Sequence, residues 1–367
     1  MTTVTTLAAT LSTAWRRALP GVLLAALSAR RSDRPIILAV GFSPWKEGFT
    51  RRFFRDEEVL FVDDPRSFRL ARRLLAGAAT RAVVWSLRDG ALGFHPDDFA
   101  GIATFRVEDG FVRSLGRGLD HAPPWSLCVD ATGLYFDASR PSDLETACET
   151  LATAEFEAEA PAVDRAIARL KELAISKYNL GRSGGGRAAP ARVPGTVLVL
   201  GQVEDDHSIR CNRNAVSTNR GLVERAIADR PGARILFKQH PDCLGSPRRI
   251  GHVDTTSLPR VEEVDPAVGI ADALEAADTV YTISSLGGFE ALLRGKEVVT
   301  FGAPFYAGWG LTRDHVGFER RRRRLTVQQL FYVAFMRFPV YFDPRDGRRM
   351  TLEQVIDRFS QDLSGAD

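Results

Sequence analysis

The chain has 367 residues, 44% of them hydrophobic and 26% charged, and its 49 basic and 46 acidic side chains leave a net charge of +3. That length suits two domains of ordinary size, and the composition is that of a globular protein. So small a net charge does not indicate a general nucleic-acid binder.

The first apolar stretch, Leu19 to Ala29, follows Arg16 and Arg17 and is closed by Arg30 and Arg31. It falls short of the roughly 18–20 apolar residues that span a bilayer. It reads as a short helix that packs on the core or touches a membrane face, rather than as a signal sequence. Strand-like runs then follow at Ile36–Gly41, Val59–Val62, Ala82–Trp85 and Thr104–Val107, with Arg-rich amphipathic segments such as Ser67–Ala76 between them. Strands alternating with helices imply βαβ units and a parallel sheet. A helical stretch from about Glu155 to Leu173 leads out of this half, so the first domain is expected over residues 1–180.

Residues 181–195, GRSGGGRAAPARVPG, have no periodicity and read as a linker or mobile loop. The alternation restarts at Thr196–Leu200 and continues through Arg234–Lys238, Val261–Val264, Thr279–Ile283 and Glu297–Phe301. A second domain is expected over 196–325, and helices over 326–367 are expected to pack back across both. Phe331, Phe335 and Phe338 fall on one helix face and read as core. The fold class is therefore α/β: two facing Rossmann-like domains, with ligands beyond the carboxyl ends of the strands.

Cys128, Cys148, Cys211 and Cys243 lie far apart, with no CxxC and no Cys/His cluster, as in a reduced cytosolic protein without a zinc site. The Arg320–Arg324 run reads as a solvated face, with phosphate or an anionic membrane surface as the functional alternative. No GxGxxG follows a first strand, which argues against a nicotinamide enzyme.

Four turns at strand ends carry candidate chemistry. Ser284, Ser285, Gly287 and Gly288 lie between a strand and a helix, where unpaired N–H groups and hydroxyls can receive a phosphate. The competing reading is a serine N-cap with glycines for tight packing. Glu290, one turn on, reads as an acceptor for a ligand hydroxyl or as a first-turn acid suited to the helix dipole. The turn Gly201–Ser208 sets three acids, Glu204, Asp205 and Asp206, at a strand end, where one could serve as nucleophile or base; a surface acidic loop is the alternative. Lys238, Gln239, His240 and Pro241 place a Lys and a His two residues apart, both able to address one phosphate. His240 could instead cap local backbone, and the second His-Pro pair, His95–Pro96, lacks the strand and the lysine. In the first half, Glu108 could act as base towards a hydroxyl. Arg113 could bind an anion bidentately or form a buried structural pair with Asp109.

The segments VEDGFVRSLG (107–116), GLYFDASRPSDLE (133–145), GQVEDDHSI (201–209), KQHP (238–241), ISSLGGFEALLRGKEVVTFGAPFYAGWGLT (283–312) and YFDP (341–344) together resemble the capsule polysaccharide β-Kdo transferase family, from about residue 80 onward. Many relatives carry two such modules in tandem; this chain carries one. The resemblance implies a GT-B-type glycosyltransferase variant that takes CMP-β-Kdo as donor and retains the β configuration. It implies a Kdo-terminated lysophosphatidylglycerol-type acceptor at the inner-membrane surface, a cytoplasmic, peripheral location, possible contact with other capsule assembly proteins, no nucleic acid, no cofactor and no metal. Carried over residue by residue, Asp206 matches the aspartate nucleophile and Glu108 the acid that takes the acceptor proton. Lys238, His240, Ser284 and Ser285 match the nucleotide-phosphate site, with Gln202, Gly287 and Glu290 also on the donor side. Arg113, Asp109 and Glu204 are expected near the sugar. The rival readings are a transferase for another CMP-ulosonic acid or a CDP-activated donor, and a non-catalytic capsule assembly or export protein.

Overall fold

The computed structural model describes residues 19–116, 120–177, 189–244, 250–258 and 260–364. Most of the 181–195 linker therefore lies outside the described residues. The strands, in chain order, are β1 (Ile36–Val40), β2 (Glu58–Phe61), β3 (Thr80–Trp85), β4 (Ala103–Asp109), β5 (Ser126–Asp130), β6 (Val197–Leu200), β7 (Ile235–Lys238), β8 (Val261–Glu263), β9 (Thr279–Thr282), β10 (Glu297–Thr300), β11 (Arg313–Asp314), β12 (Val340–Phe342) and β13 (Arg349–Met350). They form two sheets in two compact units. One unit holds residues 1–132 and 339–351, the other 133–338 and 352–367.

The sheet of the first unit has the order β13-β12-β5-β4-β3-β1-β2. Strands β2, β1, β3 and β4 are parallel, whereas β5 and β12 add antiparallel. Every residue of β1 is buried, as expected of a central strand covered on both faces. Its alternate side chains serve two cores. Leu38 and Val40, with Ala82 and Val84, pack on Val22, Ala26 and Phe68. Ile37 and Ala39, with Val83 and Trp85, pack on Phe42, Phe49 and Phe53. The helix Leu19–Ala29 thus contributes Val22, Ala26 and Ala29 to the core, while Leu24 and Leu27 remain exposed.

The sheet of the second unit is wholly parallel, in the order β11-β10-β9-β6-β7-β8. Val197, Val199, Phe237, Tyr281 and Phe301 face Leu222, Val223 and Ala226 of the helix Asn219–Asp229. Phe289 stacks on Phe335 at 5.3 Å and also meets Phe305; Phe331 and Phe335 are core as expected, whereas Phe338 is only half-buried.

The structure differs from the sequence reading in three places. The compact units divide at 132/133, so the helices Asp143–Thr150 and Thr153–Glu172 belong with the second unit rather than the first half. The final segment is not helical throughout. Pro339 lacks the N–H a helix would need, Val340–Phe342 extend as β12 in the first sheet, and helix resumes only at Leu352–Ser364. The arginine run is a solvated face only in part: Arg322 and Arg324 are exposed, whereas Arg320, Arg321 and Arg323 are engaged within the protein. Arg320 Nε and Arg321 Nε lie 2.5 and 3.1 Å from the two oxygens of Glu145, which is buried with Arg321. Arg321 also donates to the carbonyls of Pro304 and Ala307 at 2.6 Å each, and Glu149 accepts from the N–H of Arg322 at 2.7 Å.

Removing one partner of a buried pair leaves an uncompensated charge, which costs about 3–5 kcal/mol. Glu145→Ala should therefore lower unfolding free energy by about that amount in urea titration. Glu145→Leu combined with Arg321→Met should recover much of the loss. A cost near zero for the single variant would show that the arginine run is solvated after all.

Candidate functional site

In the second sheet β6 is followed by β7 on one side, while β9 joins on the other, so the order of strand addition reverses between β6 and β9. The crevice beyond the carboxyl ends of such a pair is where open α/β sheets bind ligands. Gln202 leaves β6 there and Ser284 leaves β9. The Gln202 amide spans the gap: its Nε2 donates to Ser284 Oγ at 3.1 Å, and its Oε1 accepts from the Ser284 N–H at 2.7 Å. The Ser284 and Ser208 hydroxyls are hydrogen-bonded at 3.3 Å. Ser208 N–H in turn donates to Asp206 Oδ1 at 2.8 Å, so Asp206 caps the turn of helix His207–Arg210.

One oxygen of Asp206 is thereby fixed. The other has no hydrogen-bond partner among the described residues, and the side chain is exposed. A carboxylate held by one oxygen and open at the other is oriented as a nucleophile would be.

His240 follows β7 and is brought to the same cluster by a close approach of backbones. Gly201 N–H donates to the Lys238 carbonyl at 2.9 Å, and a β-carbon on Gly201 would press on that carbonyl and on the His240 nitrogen. His240 Nδ1 accepts from Asp242 N–H at 3.2 Å. The neutral ring consequently carries its proton on Nε2, an assignment that follows from that bond. Burial holds His240 below the usual histidine range, while Asp242 and Asp206 pull the other way. The local cap is common to both His-Pro pairs, since His95 Nδ1 accepts from Asp97 N–H at 3.4 Å. What separates them is setting, for His95 is exposed.

Ser285 is the N-cap of helix Leu286–Leu293, its Oγ accepting from Gly287 N–H at 3.2 Å. The hydroxyl proton stays available to a ligand oxygen. The glycines answer to packing: a β-carbon on Gly288 would overlap the Tyr306 hydroxyl, which donates to the Ser285 carbonyl at 2.5 Å, and one on Gly287 would press on Leu200. Glu290 is buried on the same helix, and burial pushes its carboxyl up to about 7 against the opposing charge of Arg294.

Two expected ligand contacts are otherwise engaged here. The Lys238 ammonium donates to the Val268 carbonyl at 2.6 Å, with Asp272 as its charged neighbour, so it ties β7 to the loop before helix Ile270–Glu275. Glu204 Oε1 accepts from Asn219 N–H at 2.7 Å. Asn219 is the organiser that sequence reading missed. Fully buried, it donates to the carbonyls of Gln202 and Gly251 at 2.7 and 2.6 Å and accepts from Gln202 N–H at 3.0 Å. An Asn at a helix start reads as a cap, and nothing in its sequence position marks it as a loop staple. Tyr306 was missed for the same reason.

The first unit holds the other candidates, at the end of β4. Arg113 is completely buried, with Nε 2.7 Å from Asp109 Oδ2 and Nη1 donating to Ser114 Oγ and the Ala122 carbonyl. Of its two readings, the structure has the internal pair. Glu108 is half-buried, and its Oε1 accepts from Asp109 N–H at 2.9 Å.

Known proteins agree with this architecture. The capsule polysaccharide biosynthesis protein family matches residues 97–180 and 166–341. Lipopolysaccharide-processing protein LpsZ of Rhizobium meliloti is 36% identical over 93% of this chain and 78% of its own length. Capsule polysaccharide modification protein LipA of Neisseria meningitidis serogroup B is 36% identical over 88% of this chain but only 46% of its own, so the chain spans about half the length of that relative. Among solved structures, Thermosulfurimonas dismutans KpsC, beta Kdo 2,4 transferase, aligns with a TM-score of 0.71 and 31% identity over 89% of this chain and 98% of that one. The beta Kdo 2,7 transferase of the same organism's KpsC aligns with a TM-score of 0.69 and 29% identity over 89% and 99%. On its sequence and its fold alike, the chain belongs to the capsule polysaccharide biosynthesis protein family.

Proposed function

We propose that the protein is a retaining β-Kdo glycosyltransferase of GT-B type that moves Kdo from CMP-β-Kdo to a Kdo-terminated glycolipid of the capsule linker. The observation that carries this reading is the continuous chain Gln202–Ser284–Ser208–Asp206 at the switch point of the second sheet, with His240 beside it. The likeness to two solved Kdo transferases supports the sugar.

In this account the CMP phosphate is received by His240 Nε2–H, the hydroxyls of Ser284 and Ser285 and the positive end of helix Leu286–Leu293. Asp206 attacks the anomeric carbon. The bond from that carbon to the phosphate oxygen breaks and the electron pair leaves with CMP. An acceptor hydroxyl then displaces the aspartate, and its proton passes to Glu108. Two inversions give net retention. The reading takes no metal and no cofactor. It places the work at the inner-membrane surface, where a lipid-borne acceptor resides; no helix among the described residues is long and apolar enough to cross a membrane.

Asp206→Ala should lose transfer by at least roughly a thousandfold, the scale of removing a covalent nucleophile. After rapid quench of the parent with CMP-Kdo, the intact mass should show one added Kdo, and peptide mapping should place it on the tryptic peptide that contains Asp206. A variant with full activity rejects the nucleophile. Product NMR should give a β linkage, and turnover with CDP-glycerol or another CMP-ulosonic acid, but not CMP-Kdo, would replace the donor.

Glu290 supplies a pH test. If its carboxylate accepts a ribose hydroxyl, binding favours the charged form, so nucleoside affinity rises as pH passes upward through about 7. Cytidine, which has no phosphate to titrate, should bind roughly threefold tighter at pH 8 than at pH 6 in calorimetry. Glu290→Gln should flatten that dependence. An equal slope in both proteins removes Glu290 from the ribose site.

A further inference from the structure

The first sheet has a reversal of its own. Strand β1 is followed by β2 on one side, and β3 joins it on the other, so its crevice lies beyond the ends of β1 and β3. Lys46 stands there. It sits on the short turn Pro44–Lys46 after β1, almost entirely buried. Its ammonium lies 3.0 Å from the centroid of the Trp85 ring, the last residue of β3, and 5.2 Å from that of Trp45. Trp85 is paired in register with Val107, and Glu108 and Asp109 follow on β4.

The chain has only five lysines among its 49 basic side chains. Arginine carries nearly all of its surface and buried ion pairs. A buried lysine on an aromatic face is thus a departure from this protein's habit. Lysine differs from arginine in being a compact point charge that can release its proton.

The charges facing Lys46 are Asp109, Glu108, Arg113 and Arg88. Burial pulls its ammonium down to about 8, against the pull of the two acids, and the two arginines add to the lowering. Asp109 is held by Arg113 at 2.7 Å, and the Asp109 N–H holds Glu108 Oε1 at 2.9 Å. Arg113, Asp109 and Glu108 are thus linked at the end of β4, and both acids act on the Lys46 charge. Ser86, directly after Trp85, adopts a left-handed backbone (φ 51°), and its carbonyl accepts from Arg106 Nη1 at 2.7 Å. That is a conformation a non-glycine residue keeps only when its surroundings enforce it.

We propose that Lys46, seated on Trp85 and facing the Asp109–Arg113 pair, is a positioning residue that keeps Glu108 oriented and anionic for its reaction with the acceptor hydroxyl. The inference rests on the reading of Glu108 as base. Losing the nearby cation should make Glu108 hold its proton more tightly, so the base becomes available only at higher pH.

The test compares the full chain with Lys46→Met, Lys46→Arg and Glu108→Gln, assayed with CMP-Kdo and a Kdo-terminated glycolipid from pH 5 to 9. Lys46→Met should lower kcat roughly tenfold with little change in the donor KM, and should move the acid limb of kcat/KM up by about half a pH unit or more. Lys46→Arg should return the limb to its parental position. Parental kcat and limb in Lys46→Met, with Glu108→Gln inactive, overturns the role of Lys46 alone. A fully active Glu108→Gln overturns instead the reading of Glu108 as base. Should Lys46→Met fail to fold, NMR of selectively labelled lysine in the parent and in Glu108→Gln decides the matter. Lys46 should titrate near 8 and move lower when the Glu108 charge is removed, whereas a resonance that does not respond to Glu108→Gln overturns the proposal.

Discussion

The amide of Gln202 reaching across the reversal of the second sheet is the contact on which the proposed donor site depends. A glutamine offers a donor and an acceptor on one rigid plane, and here both are taken by Ser284, through its hydroxyl and its N–H. The end of β6 and the end of β9 are thereby held in register with one another. Asp206, Ser208 and Ser285 are all placed from those two ends. Asn219 fixes the other side of the same turn through three bonds to Gln202 and Gly251. The proposed role of Asp206 would need that degree of bracing, because an error of an ångström in an attacking atom is costly in rate.

Around this contact the protein separates the work of its cations. Arginine is used for fixed geometry: Arg321 and Arg320 on Glu145, Arg113 on Asp109, Arg106 bidentate on Asp89. The planar fork and permanent charge suit such pairs. The two buried lysines, Lys46 and Lys238, stand instead near strand ends, one after β1 and one closing β7, and burial lowers both. His240 has one nitrogen spent on the backbone, and burial holds it below the usual histidine range.

Much of this was legible before the fold was known. Continuous apolar runs such as Ile36–Val40 and Val197–Leu200 can be little other than covered parallel strands, and the candidate turns follow their carboxyl ends by the logic of the fold class. That Asp206, His240 and Ser284 would share one cluster followed from their each lying after a strand of one sheet. Strand β5 was missed because Ser126–Asp130 is short and carries a polar residue at each end. The strand at Val340–Phe342 was hidden by neighbouring aromatics at helical spacing. Side-chain partners were not legible at all. Lys238, Glu204 and Arg113 have the chemistry for a ligand, and only three-dimensional neighbours show that each is spent on the protein itself. Lys46 lies in a segment that carries no motif, so nothing in its spacing drew attention to it.

A structure of the protein with CMP bound tests the central claim most directly. The account predicts the phosphate within hydrogen-bonding distance of His240 Nε2 and of at least one of the Ser284 and Ser285 hydroxyls, with Asp206 open towards the side the sugar would occupy. CMP bound away from the ends of β6 and β9, with those four side chains untouched, would contradict it.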